Sequence, residues 1–353
     1  MQEKYKLKIA SFFTGAGGLD LGFERAGFDI IYANEYDKKI WPTFELNFPN
    51  TILDKRSMVK VEAEDVPDCD GIIGGPPCQS WSEAGALRGI DDERGQLFFD
   101  FIRILKHKKP RFFLAENVSG MLAPRNASAL ERIKELFEKC GYVVSCELLN
   151  ASDYGVPQDR KRVIFVGYHK DLGKKFSHPA PTSVFDNQKK TLKDAIYDLK
   201  DNVVPAKYRN YPNQEKCSIP NHEYMIGGFS TIYKSRNRVR PWDKPSFTIQ
   251  AGGRHAPIHP QAPEMILVRK NNRIFDLHPK YRKKLSKEYK KKNGDIFYRR
   301  LSVRECARIQ TFPDDFIFKY ENVSDGYTMI GNAVAIDFAE ILAKKIYEDL
   351  NLR

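Results

Sequence analysis

Strand-like and helix-like segments alternate through the first half of the chain. Short apolar runs that predict strands, such as Lys8–Phe13 and Phe28–Ala33, are followed by segments with apolar residues at helical spacing. Parallel strands require crossover connections, and a helix is the usual one. The pattern therefore predicts an α/β fold with a doubly wound sheet. We assign residues 1–180 and 325–353 to this domain, because helical signal returns near the C-terminus.

The second half has a different composition. After Leu172 the chain is rich in Pro, Asn, Lys, Arg and His and has few helical periods, which predicts a smaller, loop-rich domain at residues 181–324. The formal net charge of +12 favours a polyanionic partner, with nucleic acid ahead of a membrane surface. Six cysteines without a Cys-x-x-Cys pair do not form a disulfide framework. We expect a cytoplasmic, monomeric protein with no bound metal and no membrane segment.

The stretch Gly74–Trp81 follows a short apolar run and joins two glycines, two prolines and one cysteine. Glycine permits a tight turn at the end of a strand, and proline fixes the backbone angle φ. The loop is therefore stiff and holds the thiol of Cys78 above the sheet. Two interpretations fit these residues equally well, a nucleophile or a buried structural cysteine.

A glycine loop, Thr14–Gly18, follows the first predicted strand. Glycines at this position let the backbone approach a ligand above the carboxyl ends of the strands. A dinucleotide fingerprint has a third glycine where this chain has Asp20, so S-adenosylmethionine fits better than a pyrophosphate. Glu35 ends the second strand, where an acid can hold both ribose hydroxyls. The alternative interpretation of the glycine loop is a plain tight turn without a ligand.

Polar residues end or precede two later strands. Glu116 ends one strand and would face the same cleft as Cys78, or it is a surface carboxylate. Gln158–Arg162 precedes another strand, and alternation would place Arg160 and Arg162 on one side of it, unless this is a solvated basic edge.

Arginines and glycines cluster in the second domain, in Ser235–Arg240 and Ala251–His255. The guanidinium group of arginine can donate two hydrogen bonds to the edge of a guanine in the major groove, and glycine lets a backbone approach the duplex. These segments fit either base recognition or a general phosphate-binding patch.

Taken together, these segments resemble the motifs of the DNA (cytosine-5-) methyltransferases, in the same order and over nearly the whole chain. The matching segments are Phe13–Gly18, Gly75–Gln79, Arg94–Phe98, Glu116–Val118, Gln158–Arg162, Arg300–Arg308 and Gly331–Val334. The resemblance implies a methyltransferase sheet of the Rossmann-like class beside a target-recognition domain. It also implies methyl transfer from S-adenosylmethionine to carbon 5 of a cytosine that is flipped out of duplex DNA.

The resemblance also implies roles for individual residues. The residues implied in catalysis are Cys78 as nucleophile, Glu116, Arg160 and Arg162. The residues implied in cofactor binding are Phe13, Thr14, Gly15, Gly17, Gly18, Leu19, Glu35, Tyr36, Ser57, Pro77, Leu97, Asn332 and Ala333. The residues implied in DNA binding are Gln79, Ser80, Arg236, Arg238, Arg240, Thr248, Gly253 and Arg254.

The segment Phe229–Pro263 resembles the recognition region of the HaeIII-type methyltransferases, which modify GGCC. It implies guanine contacts from Arg236, Arg238 and Arg254, and a prokaryotic enzyme of a restriction-modification system. The chain departs from the family pattern at Thr14, where serine is usual, and at Ser57, where an acid normally holds the adenine amino group; Asp54 is the nearest acid. A tRNA cytosine-5 methyltransferase and a catalytically silent DNA-binding relative are the alternatives.

Overall fold

The computed structural model describes residues 6–77, 93–183, 185–269, 273–278 and 298–351. The chain divides into two compact units. The first contains residues 1–154, 161–182 and 334–353, and the second contains residues 155–160 and 183–333. The observed division differs from the predicted one at residues 155–160 and 325–333, which belong to the second unit, and at residues 181–182, which belong to the first.

The first unit is built on a seven-stranded sheet with the strand order β3-β2-β1-β4-β5-β7-β6. Its strands are β1 (Lys8–Phe12), β2 (Asp29–Asn34), β3 (Ile52–Asp54), β4 (Gly71–Gly74), β5 (Phe112–Val118), β6 (Tyr142–Asn150) and β7 (Lys161–His169). Its helices are α1 (Gly18–Arg25), α2 (Trp41–Asn47), α3 (Glu93–Lys108), α4 (Ala127–Lys139) and the C-terminal α8 (Ile336–Asn351). The predicted α/β fold with a doubly wound sheet is confirmed.

One strand runs against the others. β7 is antiparallel to both β5 and β6, whereas the other paired strands of the sheet are parallel. Only residues 151–160 separate β6 from β7, which is too short a connection for a parallel crossover. The chain therefore reverses after β6, and β7 inserts between β5 and β6.

Aromatic side chains fill the space between the sheet and its helices. Phe113 on β5 stacks on Phe137 of α4 with ring centroids 4.3 Å apart, and Phe101 of α3 packs edge-on against Phe12 of β1. All four side chains are fully buried. Because each buried aromatic side chain contributes roughly 1.5–3 kcal/mol, this core fixes the strand ends that carry the polar residues.

The second unit has little regular structure in its described part. It contains the short helices α5 (Leu192–Ile196), α6 (Val303–Ile309) and α7 (Val323–Asn332), and the paired strands β8 (Val204–Pro205) with β9 (Glu223–Tyr224) and β10 (Ile266–Arg269) with β11 (Ile274–Asp276). Buried charges partly replace an apolar core here. Arg299 and Glu305 form a fully buried ion pair at 2.6 Å, and Glu305 also caps the start of α6 through the backbone N–H of Ser302.

Candidate active site

The glycine loop after β1 has a backbone that few residues can adopt. Gly15 and Gly17 have φ angles of 57° and 86°, in the left-handed region that favours glycine. A Cβ on Gly17 would lie 2.2 Å from the ring of Phe48, so that position also lacks room for a side chain. The non-glycine residue Phe13 also has a positive φ, of 55°. The loop turns sharply here and places the Phe13 side chain at a cavity.

Glu35 holds this loop in place. One carboxylate oxygen accepts a hydrogen bond from the backbone N–H of Gly15 at 3.0 Å, and the other accepts one from Asp37 at 2.7 Å. Burial raises the pKa of Glu35, and the two backbone donors oppose that shift. Glu35, which the sequence predicts to hold a ribose, is thus hydrogen-bonded to the backbone of the glycine loop.

A cavity of about 680 Å³ opens between the ends of β1, β2 and β3, within the usual size range of small-molecule sites. Five of the predicted cofactor residues line it: Phe13, Glu35, Tyr36, Ser57 and Leu97. Sequence reasoning missed seven others: Asn34, Lys55, Arg56, Met58, Val59, Lys60 and Gln96. Most of the missed residues follow β3, a strand so short that no periodicity marks it.

Ser57, rather than Asp54, reaches the cavity. The carboxylate of Asp54 accepts hydrogen bonds from the Tyr32 hydroxyl at 2.8 Å and from the Arg56 guanidinium at 2.6 Å. Burial raises the pKa of Asp54, but these donors outweigh it and hold the pKa below its ordinary value. The nearest acid is therefore engaged in the wall of the cavity, and the role of Ser57 as the replacement for the usual acid stays a prediction.

A buried carboxylate lies beneath the glycine loop. Asp20 of α1 is fully buried, and its Oδ2 accepts a hydrogen bond from the Thr14 hydroxyl at 2.7 Å. Burial raises its pKa from 3.8 to about 6, although the hydroxyl groups of Thr14 and Ser11 oppose the shift. Asp20 thus explains Thr14 in the first motif, since the hydroxyl is a donor to this acid.

We expect Asp20→Asn to stabilise the protein at neutral pH. Because the folded pKa lies above the unfolded value, ionisation of this carboxylate destabilises the folded protein. The destabilisation is absent below about pH 3.8 and reaches its full size above about pH 6. The full cost is about 3 kcal/mol. Urea unfolding of both proteins measures it, and the gain from the substitution should grow by about 2 kcal/mol between pH 4.5 and pH 7.5. An equal difference at both pH values would contradict the assignment.

The loop after β4 is held against the end of β5. The side-chain amide of Asn117 donates a buried hydrogen bond to the Pro76 carbonyl at 2.9 Å. A Cβ on Gly75 would lie 3.6 Å from Glu116 Oε2, so the acid rests against the loop backbone. The described part of this loop ends at Pro77. The predicted residues Cys78, Gln79 and Ser80 lie outside the described residues.

Glu116 and Arg162 meet across neighbouring strands. Arg162 Nε lies 2.6 Å from Glu116 Oε1, and both side chains are largely buried, with exposed fractions of 13% and 12%. The antiparallel register explains the contact, because Arg162 lies opposite Val118, two residues beyond Glu116 on the same face of β5. The structure thus brings together two of the four predicted catalytic residues, beside the loop that leads to the third.

Arg160 has different partners. Its guanidinium is buried and donates to the carbonyl oxygens of Ile249, Gly331 and Ala333 at 2.9–3.1 Å, all within the second unit. Arg160 lies one residue before β7, which begins at Lys161, so the prediction that alternation places Arg160 and Arg162 on one side stays a prediction. The contacts of Arg160 hold the backbone around the predicted cofactor residues Asn332 and Ala333.

The predicted DNA-binding arginines of the second unit fall into two groups. Arg236 and Arg254 are exposed. Arg238 is buried, stacks 4.6 Å above the ring of Tyr233 and donates to its carbonyl, and burial lowers its pKa. Arg240 pairs with Asp159 at 2.5 Å. Arg236 and Arg254 are thus the exposed members of the four, whereas Arg238 is buried and Arg240 is half-buried beside Asp159.

Thr248 and Gly253 have structural contacts in the same unit. The Thr248 hydroxyl donates to the carbonyl of Asp159 at 2.5 Å. A Cβ on Gly253 would lie 2.6 Å from the sulfur of Met225 and 2.8 Å from the ring of Tyr327. Gly253 is therefore required by close packing.

The described helices include none long and apolar enough to cross a bilayer. In the described ranges, no cluster of three or more His, Cys, Asp or Glu side chains could hold a metal ion.

Solved structures with the same fold include DNA methyltransferases. A protein from an E. coli prophage, described as a DNA modification methyltransferase, matches with a TM-score of 0.69 at 26% identity, over 98% of this chain and all of that one. The Dnmt2 methyltransferase of S. pombe has the same fold, with a TM-score of 0.66 at 17% identity over 99% of this chain and all of its own. The fold is thus the Rossmann-like fold of the S-adenosylmethionine-dependent methyltransferases.

The family model of the C-5 cytosine-specific DNA methylases matches residues 7–348, and the chain belongs to that family. It is 54% identical to the type II methyltransferases M.FnuDI of Fusobacterium nucleatum and M.NgoPII of Neisseria gonorrhoeae. Each match covers 98% of this chain and 95% or 96% of the relative. The protein is a type II cytosine-5 DNA methyltransferase, as found in restriction-modification systems, and the predicted enzyme class is confirmed.

Proposed function

We propose that this enzyme methylates carbon 5 of a flipped-out cytosine within GGCC, with S-adenosylmethionine as the donor. The observation that carries the chemistry is the Glu116–Arg162 pair, which lies against the backbone that leads to Cys78. The specificity rests on the likeness of Phe229–Pro263 to the HaeIII-type recognition region and on the exposed Arg236 and Arg254. The first unit would carry the chemistry and the second would read duplex DNA, with the enzyme acting as a monomer.

The cavity at the glycine loop fits the donor. Phe13, Met58 and Leu97 offer apolar surface for an adenine ring, Tyr36 is exposed at the wall, and Ser57 offers a hydroxyl. Bound there, S-adenosylmethionine supplies an electrophilic methyl group. The order that Glu35 imposes on Gly15 prepares the loop before the ligand arrives.

Cytosine is not nucleophilic at carbon 5, so the enzyme must first activate the ring. We assign Cys78 to attack carbon 6 as a thiolate, which makes the C5–C6 bond single and leaves an enamine across carbons 4 and 5. Electron density moves to ring nitrogen 3, where Glu116 in its protonated form would donate a hydrogen bond and then its proton. Arg162, 2.6 Å from that carboxyl, fixes its orientation. Carbon 5 would then take the methyl group, leaving S-adenosylhomocysteine, and a base would remove the proton from carbon 5 as the thiolate leaves carbon 6. Flipping the base out of the duplex costs a few kcal/mol.

The proposal is tested by the transfer of tritiated methyl groups to matched duplexes. We expect label on a duplex with one GGCC site. We expect none on tRNA or on the same duplex in which GCGC replaces that site. Bisulfite sequencing then shows which cytosine is modified. Label on GCGC at an equal rate would overturn the specificity, and label on tRNA alone would favour the related tRNA methyltransferase.

A further inference from the structure

An exposed turn in the second unit carries two tyrosines and an arginine that the proposed reaction does not use. We define it as the tyrosine turn, residues 207–211. Tyr208 is 78% exposed and Tyr211 is 54% exposed, which is unusual for large aromatic side chains at neighbouring positions. The guanidinium of Arg209 lies 5.4 Å from the centre of the Tyr208 ring. The turn therefore presents a flat, polar-edged and cationic surface to solvent.

The backbone of this turn is held in an unfavourable conformation. Arg209 and Asn210 have φ angles of 57° and 61°, which side-chain-bearing residues rarely adopt. The N–H of Tyr211 donates to the carbonyl of Tyr208 at 3.4 Å, which gives the pattern of a type I′ turn with a tyrosine at each end. Such a conformation persists only where surrounding contacts impose it, and this is a common feature of functional sites.

The contacts that impose the turn come from two other segments of the second unit, one of which lies next to the predicted recognition region. The side-chain oxygen of Asn210 accepts a hydrogen bond from the backbone N–H of Ile226 at 2.7 Å, three residues before Phe229–Pro263 begins. The side-chain amide of Asn322 donates to the Arg209 carbonyl at 3.0 Å.

Asn322 caps the start of α7, and the hydroxyl of Ser324 in that first helical turn accepts the backbone N–H of Gly253 at 3.4 Å. Gly253 in turn lies against Met225. The tyrosine turn and the predicted recognition segment that contains Gly253 are thus anchored around one helix end.

Charge distinguishes the class of partner. Lys207 pairs with Glu215 at 2.6 Å, whereas no carboxylate in the described part of the chain forms an ion pair with Arg209. A guanidinium and two phenol hydroxyls can all donate to phosphate oxygens, and tyrosine rings can pack on deoxyribose. With a net charge of +12 and with recognition segments adjacent, the surface suits a polyanionic backbone rather than a protein.

We propose that the tyrosine turn binds the sugar-phosphate backbone of the duplex and adds affinity without reading sequence. The proposal rests on duplex DNA being the substrate. It assigns Tyr208, Arg209 and Tyr211 to the positioning of DNA, in contrast to Arg236 and Arg254, which would read bases.

The test measures binding of a fluorescent GGCC duplex, and of a matched duplex without the site, at several salt concentrations. For Arg209→Ala, the slope of log K against log salt should become shallower by about 0.9, and affinity at 0.1 M salt should fall about eightfold on both duplexes. The Tyr208→Ala/Tyr211→Ala protein should also weaken both equally, with kcat at saturating DNA unchanged. Arg125→Ala removes an exposed charge from the first unit and serves as the matched control.

The possible outcomes separate this proposal from the proposed function. Wild-type slope and affinity in both turn variants would overturn it, and so would a loss confined to the GGCC duplex, since the turn would then read bases. Thermal unfolding checks that each variant is folded, and Arg209→Lys should keep the salt slope because it keeps the charge. If the wild-type enzyme methylates tRNA but not duplex DNA, the proposed function fails first and the turn proposal fails with it.

Discussion

Cys78→Ser should reduce methyl transfer to GGCC duplexes by a factor of about 10⁴ or more, the scale on which loss of a nucleophile acts in other enzymes. A serine hydroxyl remains protonated at neutral pH and cannot add to carbon 6 as a thiolate does. Cofactor binding should change little, because the cavity residues lie on other segments. The measurement is the rate of tritiated methyl transfer at saturating duplex.

A duplex that contains 5-fluorocytosine makes this prediction sharper. The enzyme cannot remove fluorine from carbon 5, so the wild-type protein should remain covalently attached and migrate as a larger species in a denaturing gel. Cys69→Ser is the matched control from the same unit. Burial raises the pKa of the Cys69 thiol to about 12, so it is no competing nucleophile and its loss should leave the adduct intact. An adduct with Cys78→Ser would exclude Cys78 as the nucleophile.

Glu116→Gln should lower kcat by about 10²–10⁴, the usual contribution of a general acid, with a smaller change in the affinity for DNA. Glutamine keeps the size of the side chain but cannot transfer a proton to ring nitrogen 3, and it loses the ion pair with Arg162. Single-turnover methylation measures the chemical step directly. Adduct formation on the fluorinated duplex should slow and still reach completion, since Cys78 is unchanged.

The fold offers a matched control for this substitution. Glu147 on β6 lies opposite Ile164 of β7, and Glu116 on β5 lies opposite the same residue from the other side. Glu147→Gln therefore removes a carboxylate at the same level of the sheet, at the edge strand. We expect its single-turnover rate to match that of the wild type. A rate for Glu116→Gln within threefold of the control would show that the acid has no part in the chemistry.

Much of the first unit was predictable because its signals are local. The alternation of strand and helix, the glycines after β1 and the acid at the end of β5 each follow from residues close in sequence. The contact between Glu116 and Arg162 was not predictable in this way, because it depends on the register between β5 and β7. The antiparallel insertion of β7 likewise depends on a pairing across residues distant in the chain.

Arg160 shows the limit of local reasoning. It lies one residue before β7, so strand alternation does not determine its partners. Its three acceptors come from residues 249, 331 and 333, which no local pattern connects. In the second unit, the Ser-x-x-Glu pattern at Ser302 and Glu305 is a helix-start signal that does predict α6. The buried partner Arg299 of that glutamate has no such signal.

The packing of α1 against α8 has a consequence for how the enzyme is made. A Cβ on Gly22 would lie 2.4 Å from that of Ala339, so the first helix of the chain and the last lie in direct contact. During synthesis α1 leaves the ribosome long before α8, and it cannot acquire this neighbour until residues 336–351 are translated. One face of α1 in the nascent first unit therefore stays uncovered until the whole second unit has been translated.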